Sequence, residues 1–272
     1  IEEAKKNGIP VRMSADLFME LSEVPTIAVT GTRGKSTVTH MLAHILKEAG
    51  VKIVLGGNVR GVSTLPLMSE IRAGDIAVLE LDSWQLQGFG DLQISPQVSV
   101  FTNLMPDHQN YYGSMDAYFA DKAYIYRNQH AGDTLVCGLG VRERILADNP
   151  PVAPLTPDTI PSDWKLQVIG EHNRENASLA AQALRALGLT DEEIRSGLET
   201  FAGVEGRLQW MGEQNGVQIY NDNNATTPEA TIAALKALDT GNKRIILIMG
   251  GADKGLALPA GTSLQRLTAL RL

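Results

Sequence analysis

Gly31, Gly34, Lys35, Ser36 and Thr37 fall in one short run, Val29-Thr30-Gly31-Thr32-Arg33-Gly34-Lys35-Ser36-Thr37. These residue types at this spacing fit phosphate binding. Glycines let backbone N–H groups converge on an anion, a helix N-terminus favours negative charge, Lys35 adds a cation, and the Ser36 hydroxyl can meet Mg²⁺. The long form of such a loop has glycine where this chain has Val29, so the loop is a shortened one. The competing reading is an ordinary glycine-bearing turn with a solvated lysine.

Four further positions can do chemistry. Asn58 follows Gly56-Gly57 and could donate to a phosphate oxygen, or simply accept a left-handed turn backbone. Glu80 lies near the carboxyl end of Asp75-Ile76-Ala77-Val78-Leu79-Glu80-Leu81, and ligands of open α/β sheets gather at that edge, so Glu80 is placed for Mg²⁺ or stands as a rim carboxylate. His108 follows another strand pattern, where it could bind a metal, exchange a proton, or do neither. Lys122 sits four residues from both Tyr118 and Tyr126; it could snorkel outward, and as an ammonium it would repel Mg²⁺. Later, Asn173 and Asn176 could read a base edge or cap a helix.

The elements that must position these residues are legible in the apolar pattern. Val24 to Gly50 reads as strand, glycine turn and helix, the helix carried by Val38, Met41, Leu42, Ile45 and Leu46. Strands are expected at Lys52–Leu55, Asp75–Leu81, Val98–Asn103 and Thr134–Val136, with a helix over Met115–Gln129. The proline-rich stretch Asp148–Asp163 excludes a regular helix. An alanine- and leucine-rich helix runs to Leu187, and Thr190 or Asp191 with Glu193 starts another. Leu208–Met211 and Val217–Tyr220 form a hairpin through Asn215-Gly216. Pro228 opens a helix to Leu238, and Arg244–Met249 reads as a buried strand.

The fold class is therefore α/β: a central, mostly parallel sheet of the phosphate-loop type with flanking helices, followed by a partial Rossmann-like α/β domain. The expected divisions are residues 1–23, a linker and remnant of a preceding domain in which Ile9 and Val11 mark a last strand; 24–203, the nucleotide domain; and 204–272, a second domain cut short.

A net charge of −7 gives no support to a nucleic-acid surface. The single cysteine, Cys137, excludes an intramolecular disulfide and a cysteine metal cluster. With no apolar membrane span and no signal-like N-terminus, a cytoplasmic protein without membrane partners is expected.

Taken in order, VTGTRGKST, GGN (56–58), LELDSWQL (79–86), TNLMPDHQNYY (102–112), FADKAYIYRNQ (119–129), GEHNRENASLAA (170–181), GRLQ (206–209), YNDNNATTPEA (220–230) and GGADKG (250–255) resemble the Mur ligase family. The order and spacing are most similar to the members that join D-glutamate to UDP-N-acetylmuramoyl-L-alanine. The resemblance implies an ATP-dependent amide ligase of peptidoglycan synthesis, working through an acyl phosphate, with two Mg²⁺ ions and a monomeric chain. Carried over by motif, Gly31, Thr32, Arg33, Gly34, Lys35, Ser36 and Thr37 would bind ATP, with Lys35 on the β- and γ-phosphates. Ser36 and Glu80 would hold the first Mg²⁺; His108 and Lys122, the latter matching the family's carbamylated lysine, would hold the second.

The same resemblance places Asn173 and Asn176 near adenine and Arg207 and Asp222 near the nucleotide. It assigns Asn58, Ser83, Thr226 and Lys254 to substrates, Asn58 beside the γ-phosphate and the last two beside D-glutamate. Asp82-Ser83 stands where the family commonly has two serines, and Asn224 where some members have lysine. Other amino-acid ligases of the family, folylpolyglutamate synthase, and a nucleotide-binding fragment without ligase activity are the alternatives.

Overall fold

The run Thr26–Thr30 (β1) is buried along its whole length, as a strand covered on both faces must be. The chain then turns at the glycines and enters a long amphipathic helix, Lys35–Glu48 (α3). The structure is a computed structural model that describes residues 2–226, 228–239, 241 and 244–250. Two short helices precede β1, Glu2–Lys6 (α1) and Ser14–Ser22 (α2). After α3 come Ile53–Gly57 (β2), a 3₁₀ turn at Leu65–Ser69, Ile76–Glu80 (β3), Ser83–Leu92 (α4) and Val98–Phe101 (β4). Gln109–Tyr112 (α5), Met115–Ala123 (α6), Thr134–Cys137 (β5) and Leu139–Ala147 (α7) follow. The described elements end with Glu171–Ala186 (α8), Asp191–Thr200 (α9), Gln209–Gln214 (β6), Val217–Asn221 (β7) and Pro228–Leu238 (α10).

The five strands β1 to β5 form one sheet in the order β2-β3-β1-β4-β5, with every pair parallel. Both neighbours of β1 arrive later in the chain, so β1 is central and its carboxyl end opens where the order reverses. α3 packs on β1, β2 and β3, and α9 covers α3. A second apolar layer joins Ala15 and Phe18 of α2 with Leu86, Phe89, Phe119 and Tyr126 against Ala28, Ala77, Leu79 and Phe101 of the sheet. Ser14–Ser22, which the pattern set before the nucleotide domain, thus packs into that core; truncating Phe18 to alanine costs about 3–5 kcal/mol.

Helix starts follow capping chemistry. Asp82 accepts from Gln85 N at 2.8 Å while Gln85 reaches back to Asp82 N, and Thr190 with Glu193 closes the same reciprocal box on α9.

The chain divides into two compact units: Ile1–Leu166 with Arg174–Phe201, and Gln167–Asn173 with Ala202–Leu272. The second contains the antiparallel pair β6–β7. Asn215 and Gly216, at φ 51° and 79°, give the left-handed pair that a two-residue hairpin turn requires.

Three expectations need correction. The helix from Met115 ends at Ala123 rather than Gln129, because Ser95 Oγ and Ser99 Oγ donate to the carbonyls of Tyr124 and Ile125 at 2.8 and 2.6 Å, and the chain continues in tight turns. Arg244–Met249 is not a strand: it pairs with nothing among the described residues, and Ile246 and Ile248 are 81% and 92% exposed. An apolar run becomes a strand only when a neighbour takes its backbone groups. Ile9 and Val11 likewise lie in an irregular segment, with Ile9 exposed.

Candidate active site

Gly31 and Gly34 hold φ 136° and 80°, and Gly34 is the residue that caps α3. A Cβ on Gly31 would run into Thr102 Oγ1 and the Asn103 backbone, so the loop presses against the chain leaving β4. Hydrogen bonds fix that approach. Thr32 N donates to Asn103 O at 2.9 Å, and Arg33 N donates to Asn103 Oδ1 at 3.0 Å. Thr102 Oγ1 and Asn103 Nδ2 both donate to Arg33 O, and Met105 N donates to Thr32 Oγ1 at 2.9 Å. The result is a pre-formed turn at the N-terminus of a long helix, which is what an anion needs. Lys35 Nζ lies over this turn, donating to Gly31 O and Thr32 O at 3.2 Å each, with Ser36 and Thr37 behind it in the first helical turn. A Cβ on Gly34 would strike the Asn176 amide, so Asn176 borders the loop.

Glu80 ends β3 next to β1 and is buried. Gly57 pairs with it across β2–β3, and Asn58 N donates to Glu80 O at 2.7 Å. Asn58 and Glu80 are therefore neighbours at the carboxyl edge of the sheet. Ser83 is buried at the start of α4; Asp82, in place of the first serine, is occupied as the helix cap.

Lys122 does not snorkel. It is 1% exposed, its Nζ lies 3.4 Å from Thr30 Oγ1, and it sits over the Tyr118 ring at 4.8 Å from the centroid. Burial, followed by the charge of Lys35, holds its pKa well below the usual lysine value, against the smaller opposing pull of Asp82, Asp107 and Asp121. The amine is thus disposed to be neutral and nucleophilic. His108 is exposed, adopts φ 51° ahead of α5, lies 3.6 Å from Asp107, and packs against Trp84 with ring centroids 4.6 Å apart in an edge geometry. Its ring also neighbours Tyr118 at 6.1 Å, so Tyr118 touches both His108 and Lys122. Burial pushes the Tyr118 phenol up to about 12, although a hydrogen bond with Thr32 opposes this, so it stays protonated at neutral pH.

The first unit therefore brings together the loop, Asn58, Glu80, His108, Lys122 and Asn176. Ser83 belongs to this unit as well, whereas Asn173, Arg207, Asp222 and Thr226 lie in the second. Asn173 Nδ2 donates to Ile169 O at 2.8 Å, and Asp222 Oδ1 accepts from Leu208 N at 2.9 Å beside Arg207. Burial raises the Asp222 pKa more than Leu208 N–H, Arg207 and His172 lower it. Arg207 Nη1 donates to Asn224 O, and Thr226 is exposed. Lys254 lies outside the described residues.

Among the described residues, no three His, Cys, Asp or Glu side chains cluster as a metal cage. The donors present are of another kind: a hydroxyl at a phosphate loop, Ser36, and a strand-end carboxylate, Glu80. Mg²⁺ is commonly held by one or two such groups with phosphate oxygens and water completing the shell, so this donor set fits it.

Sequence reasoning did not single out Thr30, Thr102 or Asn103, and took Tyr118 only as a neighbour of Lys122 on one helix face. Thr102 and Asn103 carried one usable signal, their place at a strand's carboxyl end.

The Mur ligase middle domain matches residues 29–148, and the Mur ligase glutamate ligase domain matches residues 206–267. UDP-N-acetylmuramoylalanine–D-glutamate ligase of Roseiflexus sp. (strain RS-1) is 32% identical over 93% of this chain and 61% of its own length; that of Streptococcus sanguinis (strain SK36) is 34% identical over 93% and 60%. This chain thus spans about 60% of the length of these curated relatives. Among solved structures, MurF from Acinetobacter baumannii superposes with TM-score 0.65 at 22% identity, over 82% of this chain and 55% of that one. Mycobacterium tuberculosis folylpolyglutamate synthase, complexed with ADP and AMPPCP, gives 0.64 at 19%, over 83% and 70%. Those two likenesses show the fold alone. Two consecutive domain matches, together with relatives above 30% identity along nearly its whole length, mean that the chain belongs to the Mur ligase family.

Proposed function

We propose that this chain carries the nucleotide-binding and phosphoryl-transfer part of an ATP-dependent amide ligase that joins D-glutamate to UDP-N-acetylmuramoyl-L-alanine in peptidoglycan synthesis. The observation that carries this reading is the convergence, at the carboxyl edge of one parallel sheet, of a tethered phosphate loop, a buried strand-end carboxylate and a buried lysine with a depressed pKa. The amino-acid and acceptor specificity is taken from the names of the curated relatives.

A carboxylate resists attack by an amine until one of its oxygens becomes a good leaving group. In this reading an oxygen of the UDP-N-acetylmuramoyl-L-alanine carboxylate attacks the γ-phosphorus of ATP, the bond to the β-bridging oxygen breaks, and ADP leaves. The neutral amine of D-glutamate then adds to the acyl carbon, loses a proton, and expels phosphate. Lys35 and the N–H groups of Gly31 to Thr37 offset charge on the moving phosphoryl group. Ser36 and Glu80 would hold one Mg²⁺, and His108 with carbamylated Lys122 a second; bound there, the ions supply further charge neutralisation. Asn58 serves the γ-phosphate as it moves to the acyl substrate, and Ser83 serves the acyl substrate. Asn173, Asn176, Arg207 and Asp222 serve the nucleotide, and Thr226 and Lys254 serve D-glutamate. The protein acts on small molecules in the cytoplasm as a monomer.

The test is phosphate release from ATP with Mg²⁺, both substrates, and each omitted in turn, with mass detection of the amide. Release and product that require both substrates are expected. Product with a different amino acid or a folate acceptor would assign another ligase of this fold, and nucleotide binding without product would mark a fragment that lacks ligase activity.

A further inference from the structure

We propose that Thr30 is a positioning residue for Lys122, an inference that rests on Lys122 being carbamylated as read above: the Thr30 hydroxyl accepts one Nζ–H and so sets where the Nζ lone pair points. Thr30 is the last residue of β1 and is fully buried. A hydroxyl has a single proton. That of Thr30 is committed to Leu81 O at 2.8 Å, so toward Nζ, 3.4 Å away, it presents lone pairs only. Nζ must be the donor. The electron-rich face of the Tyr118 ring, its centroid 4.8 Å from Nζ, also disfavours a lone pair aimed at it. With one direction reserved for a hydrogen by Thr30, the lone pair of the neutral amine is kept off that side and confined to the remaining ones.

From there the lone pair meets the carbon of CO₂. The N–C bond forms, one C–O π pair moves onto oxygen, and one N–H proton passes to water, leaving a carbamate anion. The carbamate nitrogen keeps a single hydrogen. Thr30 can accept it before and after the reaction, so the buried N–H is never left without an acceptor. A valine in its place is close in shape, but it leaves the N–H unpaired and the amine free to rotate.

The experiment is ¹³C nuclear magnetic resonance of the full chain titrated with ¹³C-bicarbonate, with Lys122→Met identifying the carbamate signal by its loss. Wild type and Thr30→Ser are expected to share one half-saturation concentration. Thr30→Val should need roughly five- to tenfold more bicarbonate, the size of one hydrogen bond to a buried group. Thr30→Ala is the second hydroxyl-free variant and should behave as valine does, which guards against a packing effect particular to valine. Half-saturation unchanged in both hydroxyl-free variants would overturn the role of Thr30 and leave the carbamate standing. No Lys122-dependent signal in wild type would remove the carbamate itself, and the inference with it.

Discussion

Gly57→Ala is the substitution whose cost the structure defines best. Gly57 holds φ 81°, and a Cβ there would collide with the Glu80 carbonyl oxygen and come within 2.9 Å of Glu80 C and N. An L-residue in the left-handed region costs about 1–2 kcal/mol. Forcing an atom against backbone, which cannot rotate aside, adds about 1–3 kcal/mol. Gly61 supplies the control, since it holds φ 77° with nothing within 4 Å of the added atom, so Gly61→Ala should show the backbone cost alone. A loss near 3 kcal/mol for Gly57→Ala is a large share of a typical domain stability of about 5–15 kcal/mol, and should lower Tm by about 6–12 °C. Urea unfolding followed by tryptophan fluorescence in a Trp210→Phe background reads the first unit through Trp84 and Trp164. The midpoint should fall for both variants at unchanged slope, and by about twice as much or more for Gly57→Ala. Equal losses would refute the contact with Glu80 as the source of the difference.

Three other outcomes are expected. Lys35→Ala should slow phosphate release at least about a hundredfold by removing a cation from the moving phosphoryl group, and turnover like wild type would sink the phosphate-loop assignment. Asn103→Ala removes both side-chain ties to Arg33 and should weaken ATP binding about five- to tenfold by calorimetry; an unchanged Kd would show that the loop holds its shape without them. Asp148 takes two bonds from Arg127 and one from Tyr126, and although burial alone would raise its pKa, these bonds bring it below the ordinary 3.8. Asp148→Asn should cost about 1–3 kcal/mol at neutral pH. Because the folded pKa is the lower one, the stabilisation is complete above the unfolded value and is lost as pH falls through the folded value, so the gap between the two melting curves should begin to narrow only once the pH drops below about 4; a gap that does not narrow in acid would falsify the assignment.

What the sequence disclosed is what local pattern can encode. The strand, glycine turn and helix from Thr26 to Glu48 were legible because glycine, lysine and serine spacing coincides with a change of apolar period. The Asn215-Gly216 hairpin was legible for the same local reason. The burial of Lys122 was not, since whether a lysine between tyrosines reaches solvent depends on Thr30, 92 residues earlier in the chain. The overrun at Ala123 has a similar origin: the four-residue spacing continues through Tyr126, but serines near β4 claim the carbonyls a helix would use. Arg244–Met249 shows the converse, β-favouring composition without a described neighbour to pair with.

The tie between the glycine turn and Asn103 spans 70 residues, and it bears on when the protein becomes competent during its own synthesis. At a translation rate of about 5–20 residues per second, the interval between making the turn and making its tether is about 4–14 s. Throughout that time the nascent chain carries the glycines, the lysine and the start of α3 with nothing to hold them in register, and a nucleotide that met them would find a supple peptide. In the proposed function, affinity for ATP is thus acquired in a step, when β4 docks beside β1 and Thr102 and Asn103 close on Arg33.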